Sequence, residues 1–338
     1  MLYAKQLTAV SDAELVAAGQ RALDLARLAQ ARFVVPPSFV VLSTAFQRVL
    51  DTNNLRYKLD YLLARVDPSL GYTLTNAYTG VRKAILDASI PTDVEQEVKE
   101  LYEAVSAPGL GLDNAPKLPV RLIVSMNRTG DSENNDTIIQ CVRDAQEFLV
   151  ALRECWALAY SPAQLAERSR ERFPEGKLSI AVIVQAMRRQ EVTVHAYSSV
   201  PQDKERVYLQ AYRGYPDLRE RITKDYYAIS RADLKIVAQE VRDQPHALLV
   251  DETGALDLVA IDRKGQADHL AQRELAEISR LAKKAERELA APIKAFFAST
   301  GEEHELLWVN RLGFDVLLEP EPEPIVEPPR APDAGSTS

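Results

Sequence analysis

Two rhythms of apolar and polar positions run along the chain. In the first third the apolar residues recur at helical spacing, and beyond it they fall mostly in short β-branched runs. Leu15, Ala18, Ala22, Leu25 and Leu28 lie on one helical face, and Ser11 with Glu14 has the form of a capping box, so a helix is predicted from residue 11 to about 32. Pro36 and Pro37 forbid its continuation, because proline lacks the amide donor and restricts the residue before it. A short strand over 38–42 follows, then a helix capped by Ser43 or Thr44 and reaching Leu50. Helices are predicted over 55–66, 76–89 and 92–106, the last capped by Thr92, and then a Gly/Pro linker over 107–118.

The pattern then changes. Residues 119–124 read as a buried strand, 125–136 as a polar loop, and 137–141 as a strand or a helix start. Helices are predicted over 144–159, with Phe148, Leu149, Leu152 and Trp156 on one side, and from Ser161-Pro162 to about 173. The most distinctive stretch is 178–199. Residues 178–184 are an almost unbroken apolar run, as expected of a strand buried on both faces. Gln185 interrupts it, Met187 follows, a charged break covers 188–191, and a second strand runs over 192–197. Two neighbouring strands forming a hairpin with a polar connection are predicted, a hinge between the halves of a nucleotide cleft. Strands at 206–212, 226–229 and 234–237, a hairpin of 247–251 with 256–261, a long helix over 270–298 and a last hairpin of 306–309 with 314–318 complete the expectation. Residues 319–338 are Pro/Glu-rich and then small and polar, a composition predicted to stay disordered.

Composition narrows the function. With 338 residues, 46% hydrophobic and 27% charged, the chain can bury a large core. A net charge of −8 argues against a nucleic-acid binder, which needs basic surface to displace phosphate counterions. Cys141 and Cys155 have no C-x-x-C partner, which argues against a zinc site and suits a reducing cytoplasm. No start resembling a signal peptide and no apolar run of about 20 residues is present, so no membrane association is expected and the expected location is cytoplasmic.

Five ordered stretches resemble the nucleotide-binding N-terminal domain of the phosphoenolpyruvate synthase and pyruvate phosphate dikinase family, which is ATP-grasp-like. They are Gly19-Gln20-Arg21 with Val35-Pro36-Pro37-Ser38-Phe39 and Thr44-Ala45-Phe46; Pro119-Val120-Arg121; Asp136-Thr137 with Glu154-Cys155-Trp156-Ala157; Val184-Gln185-Ala186-Met187 with Ala196-Tyr197; and Leu209-Gln210-Ala211 with 222–227 and 306–319. The resemblance covers roughly 12–320. It implies an α+β fold, a helix-rich subdomain over 1–118, an ATP-grasp-like sheet region over 119–318 and a tail over 319–338. It implies ATP as ligand, with Arg21 and Arg121 on the phosphates, Arg121 the residue that would act in catalysis, and Gln185 and Met187 at the adenine. Guanidinium groups suit this role because they match phosphate geometry.

The same resemblance marks departures. Leu122-Ile123 replaces the family's Ser-Ser, and its glycine-rich loop falls on Gly130-Asp131-Ser132-Glu133-Asn134. Gln210 and Leu307 stand where the family has glutamates, and Glu319 begins the segment matching its L-Q-A-R-P. Mg2+, if bound, is expected on Gln210 and Glu319. None of His195, His246, His269 and His304 lies in a phosphohistidine motif, so a phosphoryl acceptor would be a histidine on a separate partner protein. The expected function is ATP binding with possible phosphotransfer, the alternative a pseudoenzyme acting as a binding or regulatory partner.

Overall fold

The computed structural model describes residues 2–107, 117–127, 138–188, 190–219, 221–250, 255–261, 270–300 and 303–312. Two antiparallel sheets dominate it. The first is built from β1 (Ala4–Gln6), β2 (Ser38–Val41), β3 (Val120–Met126), β4 (Ile138–Val142) and β5 (Ile180–Ala186), in the order β1-β2-β5-β3-β4. The second is built from β6 (Val192–Tyr197), β7 (Arg206–Arg213), β8 (Asp225–Ser230), β9 (Ile236–Glu240), β12 (Ile293–Ser299) and β13 (His304–Arg311), in the order β13-β12-β6-β7-β8-β9. A separate hairpin joins β10 (His246–Val250) to β11 (Leu256–Ala260).

One face of the first sheet, through Phe39, Val41, Leu122, Val124, Val182 and Val184, packs in one core with α3 (Ser43–Thr52), α4 (Arg56–Leu63), α5 (Gly71–Leu86), α6 (Thr92–Ser106), α7 (Ala145–Leu158) and α8 (Pro162–Arg170). Its other face, through Val40, Ile123 and Ile183, shares a core with α2 (Gln20–Gln30), the second sheet and α9 (Gln272–Leu289). β5 is therefore covered on both sides, which is why its sequence is apolar without alternation.

Several expectations are corrected. The two strands of the 178–199 stretch do not form a hairpin: β5 pairs with β2 and β3, β6 with β7 and β12, and the polar connection carries the chain from one sheet to the other. The long helix predicted over 270–298 stops at Leu289. Ala290 turns into the left-handed region (φ 52), Pro292 follows, and the chain becomes β12. Both faces of β12 are buried, so no alternation marked it as a strand. β13 takes β12 as its partner; residues 314–318, offered as that partner, lie outside the described residues, as do 125–136 beyond 127 and the tail.

The helix predicted from residue 11 keeps its capping box on a 3-10 turn but breaks between α1 (Leu15–Ala18) and α2. Gly19 has φ +78 there, and a Cβ would lie 2.5 Å from the Ser125 carbonyl. Only glycine permits that approach. Ser43, Thr44 and Thr92 do not cap: Leu42 and Pro91 occupy those positions, and Thr44 Oγ1 instead donates to the Leu2 carbonyl at 2.7 Å. Asp144 and Ser161 do cap α7 and α8 with their side chains, and 137–141 resolves as strand β4.

Candidate functional site

The site grows from the pairing of three strands. β3 and β5 set Arg121 opposite Gln185, and β2 sets Ser38 opposite Gln185. Side chains directly across neighbouring strands share a face, so the three make a polar row. The row lies on the face shared with Ile123 and Ile183, toward the second sheet. Gln185 crosses to that sheet, its Nε2 donating to the Leu307 carbonyl at 3.0 Å.

The edge strand is distorted at this row. Val120 pairs with Val142 and Leu122 with Ile139, so Gln140 and Cys141 together oppose Arg121, and Cys141 has φ 64. Such a bulge bends the strand and re-aims its neighbours.

Arg121 is fully buried, yet its Nε and Nη1 have no hydrogen-bond partner among the described residues. Burial pushes its pKa down to about 10, partly offset by Tyr215, Glu305 and Tyr212. The Trp308 ring lies 5.6 Å from its guanidinium carbon. Arg168, equally buried, shows what this fold does with a structural arginine. It holds both oxygens of Glu175 at 2.7 and 3.0 Å and the Ala159 carbonyl at 2.6 Å. Leaving a buried donor unpaired costs on the order of 1–3 kcal/mol, more for a charge. Gln185 Oε1, Trp308 Nε1 and Asn310 Nδ2 are also without partners among the described residues, all on strands that meet at this seam.

The second sheet answers with a row of its own. Its register aligns Trp308, Phe296, His195, Gln210 and Tyr226 across five strands. Phe296 stacks on Trp308 at 4.3 Å and lies 4.4 Å from the His195 ring. Tyr212 Oη accepts from the Asp217 amide at 3.1 Å and sits 2.9 Å from His195 Nε2. Burial first, then Lys294 and Lys224, hold His195 well below its ordinary pKa, so it is neutral. Met187 is buried against Tyr212, Tyr215, Ile222 and Leu248, and its Sδ accepts from the Cys141 amide at 3.1 Å. It forms an apolar wall where the chain leaves the first sheet.

The structure thus brings Arg121, Gln185 and Met187 to one seam, with Gln210 on the facing sheet. Arg21 is buried, and its Nε reaches Asn310 Oδ1 at 3.1 Å and its Nη1 the Val124 carbonyl at 3.2 Å, bridging β13 and β3. Glu319 lies outside the described residues. Sequence reasoning missed Lys224, Lys294 and Glu305. Lys294 was hidden by the helix expected across β12, and Glu305 stands just before an apolar run. Its carboxyl pKa is raised by burial, although Arg188 Nη1 donates to it at 2.7 Å.

Among the described residues, the side chains of this row do not make up a magnesium shell. Magnesium wants a near-octahedral shell of oxygens, normally with carboxylates. Gln210 offers one amide oxygen, Leu307 is apolar and buried, and Glu305 is ion-paired. No group of three or more His, Cys, Asp or Glu side chains suited to a metal occurs among the described residues. No helix among them is long and apolar enough to cross a membrane.

Two antiparallel sheets meeting along a polar seam, with helices packed on them, define an α+β protein. The family model described as "Pyruvate phosphate dikinase, AMP/ATP-binding domain" matches residues 16–310, and the chain belongs to that family. It is similar to the probable phosphoenolpyruvate synthase of Methanocaldococcus jannaschii, 21% identical over 310 residues, covering 88% of this chain and 26% of that one. It is also similar to the probable phosphoenolpyruvate synthase of Staphylothermus marinus, 23% identical over 258 residues, covering 72% and 30%. The phosphoenolpyruvate synthase of Aquifex aeolicus is 26% identical over 209 residues, covering 59% and 24%. The chain spans only 24% to 30% of the length of these relatives.

Proposed function

We propose that the protein binds ATP in the seam between its sheets, with Arg121 on the phosphates and Gln185 and Met187 at the base. The observation that carries this is the buried Arg121 guanidinium with two unpartnered nitrogens, in a fold that pairs Arg168 fully. A phosphate oxygen is the partner such a group is built for. Gln185 Oε1 is unpartnered beside it and can accept from an exocyclic amine. Isothermal titration with ATP tests the reading. Binding at micromolar to millimolar concentration that Arg121→Met removes supports it, and no heat at millimolar ATP sinks it.

A second reading concerns the step after binding. Transfer of a phosphoryl group to a histidine on a partner protein is the step that the resemblance implies. Gln210 and the buried Leu307 favour instead a pseudoenzyme, in which ligand occupancy regulates a partner. Incubation with ATP labelled at both the β- and γ-phosphorus and a separately expressed phosphohistidine domain separates them. Label on the histidine supports transfer, and binding without label supports the regulatory role.

A further inference from the structure

The charges at the seam say more about the form in which a nucleotide would enter. Four cations gather near it. Arg121 comes from β3, and Arg188 from the crossing between the sheets. Lys294 is on β12, its ammonium 5.0 Å from the Tyr197 ring centroid and 5.4 Å from that of Phe296. Lys224 directly precedes β8, two residues before the Tyr226 that pairs with Gln210. Both lysines are nearly buried, and both act electrostatically on His195. Against them stands Glu305, already bonded to Arg188. The oxygen facing His195 is the carbonyl of Gln210, a neutral amide. A divalent cation placed here meets like charges, and the carboxylate that the described row offers, Glu240 opposite Tyr226, is already held by Arg242. A polyphosphate meets the reverse.

We propose that the seam takes its nucleotide as the metal-free polyphosphate anion, neutralised directly by Arg121 with Lys224 and Lys294, so that magnesium opposes binding. The proposal rests on the nucleotide reading above and adds the ligand's charge state to it. Magnesium cancels about half of the charge of ATP and occupies the phosphate oxygens that the guanidinium would bond. The protein would therefore respond to the small free fraction of ATP, and it would not compete with enzymes that use the magnesium complex.

The test is isothermal titration of the full chain with ATP in EDTA and again in excess magnesium chloride. Binding at least about fivefold tighter in EDTA is expected. ATP that binds only with magnesium, or equally in both, overturns the proposal and leaves the nucleotide reading standing. ATP that binds in neither overturns both. Gln210→Glu, checked for folding by circular dichroism, should weaken metal-free binding about tenfold and make magnesium helpful. If Gln210→Glu leaves the ratio of the two affinities unchanged, the neutral amide is not what excludes the metal and the proposal is wrong.

Discussion

Gln185 of β5 donates its Nε2 proton to the backbone oxygen of Leu307 in β13 at 3.0 Å, and the bond crosses from one sheet to the other. Both residues are almost wholly buried. The family resemblance puts Gln185 at an adenine edge; the structure also makes it a tie between sheets. Removing it with Gln185→Ala leaves a buried carbonyl unpaired and should cost about 1–3 kcal/mol. Urea unfolding measures this. A variant as stable as the parent would show that the tie does not hold the sheets together.

Arg121 carries the opposite expectation. Arg121→Met removes a buried charge that has two unpaired nitrogens and keeps the apolar contact with Trp308. Its melting temperature should stay level or rise, while ATP affinity falls by about 10- to 100-fold. Loss of both stability and binding would mark Arg121 as a structural residue.

Gly19 tests the local geometry beside the seam. Gly19→Ala places a methyl 2.5 Å from the Ser125 carbonyl and forces a positive φ on an L side chain. The cost should reach at least about 2 kcal/mol. Chemical denaturation reads it, and a neutral result would mean that the break between α1 and α2 can relax.

His195 sets a pH dependence. Its folded pKa lies well below its ordinary 6.5, so the unfolded chain binds its proton first. Stability from this group is complete above about pH 6.5 and is lost as pH falls below it, by up to about 1.4 kcal/mol per pH unit. His304 is shifted the same way by burial, whereas Glu305, whose pKa burial raises, opposes them at lower pH. Thermal melts between pH 7 and 5 should steepen for the parent relative to His195→Phe. Parallel profiles would show that His195 is not buried neutral.

How far these features were legible in the chain depends on what buries them. The helices of the first half keep apolar residues at helical spacing, so Leu25 and Leu28 declared theirs although α2 is buried nearly all round. β5 was equally plain, because burial on both sides leaves no other residue types. The same double burial concealed β12, whose Ile293–Ser299 stretch includes Lys294 and lies in the span expected as helix although Pro292 breaks it. The site divides in the same way. Arg121 stood out as a charge within an apolar strand. That Gln140 and Cys141 both oppose it is a matter of register between distant strands, and no local pattern announces register. The assignment of residues 178–199 to a hairpin failed for a related reason, since sequence neighbours usually pair and these do not.

The crossing between β5 and β6 is where the described chain passes from one sheet to the other: β1 to β5 precede it, and all six strands of the second sheet come after it. A ribosome therefore finishes the first sheet, with helices α1 to α8, before it makes any strand of the second. β13, which brings Leu307 against Gln185 and Trp308 against Arg121, is the last strand of the described chain to be made, so the row cannot be fully covered before it. The seam is assembled last, and the guanidinium loses its water only when the final strands dock. A nucleotide present at that moment could replace the lost water and help the last step close.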